Sequence, residues 1–164
     1  MSVKIILMSD SHTNTDAIER VRQRYRDADL LVHCGDFLVS PEKLNGFVAV
    51  AGNLDRAEGV SPEEILNIGA HRIWVTHGHR YIQGDSPELG ILSREAKKRG
   101  CTAVFFGHTH QYCDETVRGI RLLNPGSVWK SRDANQPRTL MEVTISGNRI
   151  QAEPIPYVTL EYDG

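Results

Sequence analysis

The chain has 164 residues, of which 40% are hydrophobic and 24% are charged. This size and composition are typical of one globular domain and exclude a disordered or fibrous protein. The formal net charge of -2 lacks the basic excess on which stable nucleic-acid binding through phosphate contacts depends. We therefore expect residues 1–164 to form a single domain that holds no stable nucleic-acid complex.

Membrane segments and disulfides are not indicated. The apolar stretch near the start is too short for a secretory signal, and no later stretch is long enough to span a bilayer. Cys34, Cys101 and Cys113 are odd in number and lack a CxxC spacing, so neither a disulfide framework nor a thiolate zinc site is expected. We expect a cytoplasmic protein without a membrane partner.

The first half of the chain alternates short apolar runs with amphipathic stretches, which is typical of an α/β domain. Residues 3–8 are apolar on both faces apart from one lysine, and predict a buried strand. Apolar residues at helical spacing over residues 18–25 predict an amphipathic helix, with Asn14 or Thr15 available as its N-cap. Further strands are predicted at residues 30–34, 47–51 and 73–76.

The second half begins with a helix and then changes character. Ser-Pro-Glu at residues 86–88 predicts a helix start, and Gly100 predicts its end. A strand at residues 104–106 follows. Two pairs of alternating segments, each pair joined by a glycine-containing turn, then predict antiparallel hairpins at residues 112–117 with 120–123, and 138–145 with 149–156.

Residue types that bind metals stand just after each of the five strands predicted before the hairpins, at residues 3–8, 30–34, 47–51, 73–76 and 104–106. In open α/β sheets the carboxyl ends of the strands line one rim, so these residues can meet in space although they span a hundred positions. A glycine next to several of them allows tight turns and close approach of the backbone. In chain order, the candidates are Asp10 and His12, then Asp36, then Asn53, then His77 and His79, then His108 and His110.

The number and kind of these side chains predict two metal ions. Two carboxylates, one amide oxygen and four or five imidazoles exceed the three or four protein ligands of a single zinc site. Mixed oxygen and nitrogen ligands suit Mn²⁺, Fe, Zn²⁺ or Ni²⁺ better than an all-oxygen Mg²⁺ or Ca²⁺ cage. Two adjacent ions clamp the attacking and leaving oxygens in a phosphoryl displacement. The pattern therefore predicts hydrolysis of a phosphate ester.

The ordered series D-x-H, G-D, G-N-x-D, H-G-H and G-H-x-H resembles the calcineurin-like metallophosphoesterases over the whole chain. The short length and the Asn-Pro-Gly-Ser sequence at residues 124–127 resemble the small single-domain phosphodiesterase branch of bacteria and archaea. The resemblance implies a metallo-dependent phosphatase-like fold, a four-layer α/β/β/α sandwich of two mixed β-sheets flanked by helices. It also implies a phosphodiesterase in which a metal-bridging hydroxide attacks phosphorus.

The resemblance further implies a role for each candidate, with Mn²⁺ as the first choice of metal and Ni²⁺, Fe or Zn²⁺ as alternatives. One ion would be held by Asp10, His12 and His110. The other would be held by Asn53, His77 and His108, and Asp36 would bridge the two. Asp36 and Asn53 are therefore expected to be catalytic as well as ligands.

One position departs from the family pattern. Where the family has G-N-H followed by an acid, this chain has Leu54 between Asn53 and Asp55, and leucine cannot donate a proton to a leaving group. General acid catalysis contributes roughly 10²–10⁴-fold, so its loss should affect poor leaving groups most. We take His79 as the substitute proton donor.

Several residues and functions keep a second interpretation. His33 is expected to be a hydrogen-bonded interior histidine rather than a ligand, and Cys34 a small buried apolar residue. Trp129 either covers the site or fills an interface. The alternatives to a phosphodiesterase are a phosphomonoesterase and a non-catalytic interaction subunit. The expected partner is a small phosphoester, and a homodimer or higher homo-oligomer is left open.

Overall fold

A computed structural model describes residues 2–56, 59–82, 89–132 and 135–162. The predicted helix start at residues 86–88 lies outside these residues. No helix among the described residues is long and apolar enough to cross a membrane. The elements in chain order are β1 (Ser2–Met8), α1 (Asp16–Arg24), β2 (Leu30–His33), a 3-10 turn (Pro41–Leu44), β3 (Phe47–Ala49), β4 (Glu63–Ile68), β5 (His71–Thr76), α2 (Leu89–Lys98), β6 (Ala103–Phe105), β7 (Tyr112–Val117), β8 (Ile120–Pro125), β9 (Thr139–Ser146), β10 (Arg149–Pro156) and α3 (Val158–Tyr162).

The strands form two mixed sheets of five strands each. The first has the order β10-β9-β1-β2-β3, and the second has the order β4-β5-β6-β8-β7. In the first sheet β1, β2 and β3 run parallel, while in the second β5, β6 and β8 run parallel. Each sheet therefore carries three adjacent parallel strands, whose carboxyl ends open onto loops at the same end of that sheet.

The core shows that the two sheets pack face to face with helices outside. Ile5 and Leu7 of β1 lie in a buried cluster with Phe105 of the second sheet, so this cluster fills the space between the sheets. The alternate β1 residues Ile6 and Met8 pack instead with residues of α1 and α3. On the far side, α2 packs on the second sheet in a cluster that contains Trp74. The expected four-layer α/β/β/α sandwich is confirmed.

Three of the described elements were not predicted, namely the 3-10 turn, β4 and α3. β4 is an edge strand that pairs only with β5, and polar residues at Glu63, Glu64 and Asn67 interrupt its apolar pattern. α3 is five residues long and buries only Leu160, which is too short for a helical period to be recognised. Thr15 does occupy the N-cap of α1, although its side chain makes no capping hydrogen bond.

The space between the sheets provides a stability test. Val143 of β9 is fully buried in the inter-sheet cluster, whereas Val158 of α3 is 44% exposed. Val143→Ala is expected to lower the free energy of unfolding by roughly 2–3 kcal/mol, since it removes two buried carbons and leaves a cavity. The same change at Val158 should cost less than about 0.5 kcal/mol. Urea denaturation measures both, and equal losses would contradict this account of the core.

Candidate metal centre

Two groups of side chains at the carboxyl ends of the parallel strands have ligand atoms within 4.8 Å of one another. The first ligand group is Asp10, His12 and His110, and the second ligand group is Asp10, Asp36 and His77. All five residues are buried. The loops after β1, β2, β5 and β6 thus bring together most of the predicted ligands, and Asp10 belongs to both groups.

Two carboxylate oxygens face the histidines. Asp10 Oδ1 lies 3.3 Å from His110 Nε2, 3.7 Å from His12 Nε2 and 3.8 Å from His77 Nε2. Asp36 Oδ2 lies 3.2 Å from His77 Nε2 and 3.7 Å from His12 Nε2. Asp36 therefore faces one histidine of each group. This position is compatible with a bridging role, which stays a prediction.

The other two predicted ligands lie beside the second group. His108 is half-buried, its ring centroid is 5.2 Å from that of His77, and its backbone N–H donates to Asp10 Oδ2 at 3.0 Å. Asn53 is exposed and precedes Leu54, whose backbone N–H donates to Asp36 Oδ1 at 3.0 Å. Their roles as ligands stay predictions.

The donor atoms of the centre fit a cation. Asp10 Oδ1, His12 Nε2 and His77 Nε2 are buried and have no hydrogen-bond partner among the described residues. An unpartnered buried polar atom costs about 1–3 kcal/mol, so three that converge on one place indicate a ligand that satisfies them. Carboxylate and imidazole are the donors that Mn²⁺, Fe, Ni²⁺ and Zn²⁺ accept.

Two imidazoles are oriented by bonds on the side away from the centre. The Nδ1 of His77 lies 2.8 Å from the carbonyl oxygen of Cys34, and the Nδ1 of His110 lies 2.8 Å from that of Lys130. Because a carbonyl only accepts, Nδ1 must carry the proton in each ring. The Nε2 lone pair of the neutral imidazole then points into the centre, as in metal-binding histidines.

The electrostatics favour ionised carboxylates. Burial by itself would raise the pKa of Asp10, but the proximity of His110 and His12 and the charge of His77 reverse this and lower the pKa. Burial also opposes ionisation of Asp36, yet His77 leaves its pKa below the usual value. Conversely, burial would lower the pKa of His77, but Asp36 and Asp10 raise it. The centre concentrates negative charge that a cation would neutralise.

His79, the predicted proton donor, is half-buried next to the second ligand group. Its ring centroid lies 5.5 Å from that of His77 and 6.4 Å from that of His108. Burial, then the charges of His77 and Arg80, lower its pKa, which favours the neutral ring. Its Nδ1 is buried without a partner in the described part of the chain. The location of His79 suits a proton donor, but its lowered pKa favours a ring without the proton to donate. Its role as the proton donor stays a prediction.

His33 and Cys34 have the supporting roles that were expected. His33 Nδ1 accepts the backbone N–H of Gly35 at 3.0 Å, and its Nε2 lies 2.9 Å from Ser11 Oγ. Burial lowers the pKa of His33 to about 4, so the ring is neutral with both nitrogens occupied. Burial, followed by the charge of Asp10, raises the pKa of the Cys34 thiol well above its usual value, so it is not a nucleophile.

The backbone at the candidate ligands is strained, which the sequence pattern does not reveal. Five of them adopt positive φ angles, a region that costs a non-glycine residue roughly 1–3 kcal/mol. The angles are 51° at Asp10, 41° at His12, 61° at Asp36, 74° at His108 and 60° at His110. Such strain persists only where surrounding contacts impose it, and it is concentrated at this centre.

Asp55, which in the sequence stands out only as the acidic residue of the G-N-x-D motif, imposes part of that conformation. Its Oδ2 accepts the backbone N–H groups of Asp36 and Gly52, both at 2.7 Å. Its Oδ1 accepts those of Phe37 at 3.0 Å and Leu38 at 3.1 Å. One carboxylate therefore joins the loops after β2 and β3. A charged side chain close behind a G-N pair is the signal that could have identified it.

The glycines beside the ligands are required for close approach. A Cβ at Gly52 would lie 2.2 Å from Asp36 Oδ1, and one at Gly107 would lie 2.8 Å from Asp10 Oδ2. Any side chain at either position would displace a candidate ligand. The expected role of glycine is confirmed at these two positions.

The segment after β8 supports the first ligand group. Ser127 Oγ donates to the carbonyl oxygen of Asp10 at 2.7 Å and accepts the backbone N–H of Trp129 at 3.0 Å. The Trp129 ring stacks on His12 with centroids 4.3 Å apart and planes 10° apart. Trp129 therefore covers His12, while its second interpretation, filling an interface, stays a prediction.

The comparisons with known proteins agree with this centre. A probable metallophosphoesterase of Bacillus subtilis, YsnB, is 32% identical over 129 residues, which cover 77% of this chain and 75% of that protein. A phosphodiesterase of Methanocaldococcus jannaschii is 27% identical over 146 residues, covering 76% of this chain and 83% of that protein. A crystal structure described as a predicted phosphoesterase from Streptococcus pneumoniae superposes with a TM-score of 0.87 at 27% identity, covering 96% of this chain and 91% of that one.

A family model that matches most of the chain identifies the family. Residues 3–148 match the family described as the calcineurin-like phosphoesterase superfamily domain. Every predicted ligand from Asp10 to His110 lies inside the matched range, so the fold, the buried donor groups and the sequence match all concern the same residues. This protein therefore belongs to the calcineurin-like phosphoesterase superfamily.

Proposed function

We propose that this metallophosphoesterase is a phosphodiesterase that binds two divalent ions, Mn²⁺ in the first instance, with Ni²⁺, Fe or Zn²⁺ as alternatives. The observation that carries the proposal is the pair of buried ligand groups that share Asp10. A single ion would leave one of the two groups unsatisfied. The name phosphodiesterase of the Methanocaldococcus jannaschii relative supports the choice of diesters.

We assign the residues to the two ions as the family resemblance implies, with Asp36 as the bridge, although the two groups themselves share Asp10. Asp10, His12 and His110 would hold one ion, while His77 with Asn53 and His108 would hold the other, and Asp36 would contact both. Ions bound there would lower the pKa of a water molecule and neutralise the charge of a phosphoryl group. The chain supplies a rigid frame for this chemistry through the carbonyl oxygens that orient His77 and His110.

The leaving group is where this chain differs from the usual pattern. Leu54 is 48% exposed, and its backbone is tied to Asp36 by the hydrogen bond from its N–H. An exposed apolar side chain thus stands next to the proposed bridging carboxylate where the family usually has a histidine. Without that donor, esters that leave as stable anions should react fastest. The proposed substrate is a small phosphoester, and the proposed location of the protein is the cytoplasm.

The first prediction concerns metal content. Elemental analysis and titration of purified protein should give two Mn²⁺ per chain, because the two ligand groups, which share Asp10, together offer five buried donor side chains. Saturating metal should also raise the melting temperature, since a ligand at 100 times its Kd stabilises by about 2.7 kcal/mol.

Two histidine variants control this experiment. His110→Ala removes a ligand of the first group and should reduce the stoichiometry towards one. His71→Ala lies at the start of β5, where its ring bonds Thr102 and the carbonyl of Asn148, and should keep two ions. A titration of the unmodified chain that saturates at one ion would refute the two-ion proposal.

The second prediction concerns Asp36. Asp36→Asn preserves size and the acceptor for the Leu54 N–H, but it removes the charge that faces His12 and His77. Turnover of bis(4-nitrophenyl) phosphate should be abolished while the melting temperature of metal-free protein is retained. Asp27→Asn makes the same change at an exposed position and should be fully active. Unchanged activity of Asp36→Asn would rule out its bridging role.

The third prediction concerns Leu54. Aryl phosphodiesters should be cleaved far faster than alkyl phosphodiesters, because no proton donor stands at this position. Leu54→His should narrow the difference by raising the rate on alkyl esters. Leu54→Ala removes the same bulk without adding a donor and should leave the difference wide. Equal rates on both classes in the unmodified protein would count against the assignment, and faster monoester hydrolysis would favour the phosphomonoesterase alternative.

A further inference from the structure

Three of the five large apolar side chains that are exposed in the described residues lie at the candidate metal centre. Leu38, Leu54 and Trp129 are 42%, 48% and 37% exposed. The other two, Val158 and Tyr162, belong to α3. Exposed apolar side chains that cluster at a polar site mark a binding surface for a ligand with an apolar part.

The backbone of Leu38 and Leu54 and the ring of Trp129 contact residues of the same centre. The backbone N–H of Leu54 bonds Asp36, and that of Leu38 bonds Asp55, which also holds the Asp36 backbone. Trp129 stacks on His12, whose Nε2 is 3.7 Å from Asp36 Oδ2. Leu54 and Trp129 are thus each one contact away from a pair of facing ligand atoms.

Trp129 is held firmly and yet keeps a free surface. One ring face is covered by the parallel imidazole of His12, and His110 meets it edge-on with centroids 5.9 Å apart. Since the residue is 37% exposed, its solvent contact belongs to the rest of the indole. A ring already fixed by two neighbours loses little side-chain entropy when a ligand stacks on it.

The surrounding charge suits an anionic ligand. Arg56 follows Asp55, Arg80 follows His79 and Lys130 follows Trp129, and all three are exposed. The carbonyl of Lys130 bonds His110, which fixes its backbone at the first ligand group. Exposed cationic residues are therefore direct sequence neighbours of residues at the centre, and cations together with an aromatic ring suit a ligand that carries both a phosphate and a planar group.

We propose that Trp129 is a specificity-determining residue that stacks on a planar aromatic or heteroaromatic group of the phosphodiester. The substrate class is then a phosphodiester with at least one aromatic substituent. This inference rests on the proposed function, because it concerns the same site. The inference concerns how tightly the aromatic group binds, whereas the prediction for Leu54 concerns how fast the leaving group departs.

The test uses ligands that cannot be hydrolysed. Phenylphosphonate and methylphosphonate carry the same anionic group and differ in the aromatic ring. Calorimetric titration of the Mn²⁺-loaded protein should show phenylphosphonate binding about fivefold to tenfold more tightly, the ratio expected from one aromatic stack. Trp129→Ala should bring the ratio close to one, whereas Trp129→Phe should keep most of it. Tyr162→Ala removes an aromatic residue that is 85% exposed on α3 and should leave the ratio unchanged.

Metal content should be measured in each variant, because Trp129 also stacks on the proposed ligand His12. A variant that keeps its metal but loses the affinity ratio shows that Trp129 acts on the aromatic group of the ligand and not through His12. If Trp129→Ala loses metal, Trp129→Leu keeps an apolar cover without an aromatic face and should still lose the ratio. Equal affinities in the unmodified protein, a ratio that survives Trp129→Leu, or no binding of either phosphonate would overturn the inference. Turnover of a diester without an aromatic preference would overturn this inference alone. An aromatic preference without turnover of any diester would overturn the proposed function alone.

Discussion

The candidate centre depends on one buried carboxylate. Asp10 lies in the loop after β1 of the first sheet, yet its Oδ2 accepts the backbone N–H of His108 in the loop after β6 of the second sheet, and its carbonyl accepts a hydrogen bond from Ser127 Oγ. Its remaining oxygen faces three imidazoles and has no partner among the described residues. A buried charge is tolerated only when it is paired or bound to a cation. Asp10 therefore connects the two sheets and also supplies a donor atom to the centre, so the donor set depends on how the sheets pack.

The fold itself orients the candidate ligands. Positive φ angles at both Asp10 and His12, and at both His108 and His110, turn two residues of each motif towards the centre. Asp55 fixes the intervening loops with four backbone hydrogen bonds. The hydrophobic clusters on either side of the sheets stabilise a conformation that is locally unfavourable. Ligands arranged in advance need little reorganisation when a cation binds, which favours affinity and precise placement of a substrate.

Much of the fold was predictable because strands that are buried on both faces have continuous apolar sequences. The β1 sequence shows this pattern, with Ile5 and Leu7 facing one layer and Ile6 and Met8 facing another. β4 was missed because an edge strand with one buried face tolerates polar residues. At the centre, residue types and order predicted the buried donors. The sharing of Asp10 between the groups was not predicted, because it depends on angles and distances between strands.

The sequence by itself determined which chemical groups stand at the strand ends and hence the family, since strand ends and glycines are local features. It also placed Leu54 where the family resemblance leads us to expect a histidine. Only the tertiary structure decided that Asp55 bonds four backbone groups, that His33 has no free nitrogen, and that Trp129 covers His12. Trp129 and His12 are far apart in the chain, and no local pattern encodes their stacking. It follows from the packing of β8 beside β6 in a sheet that faces β1.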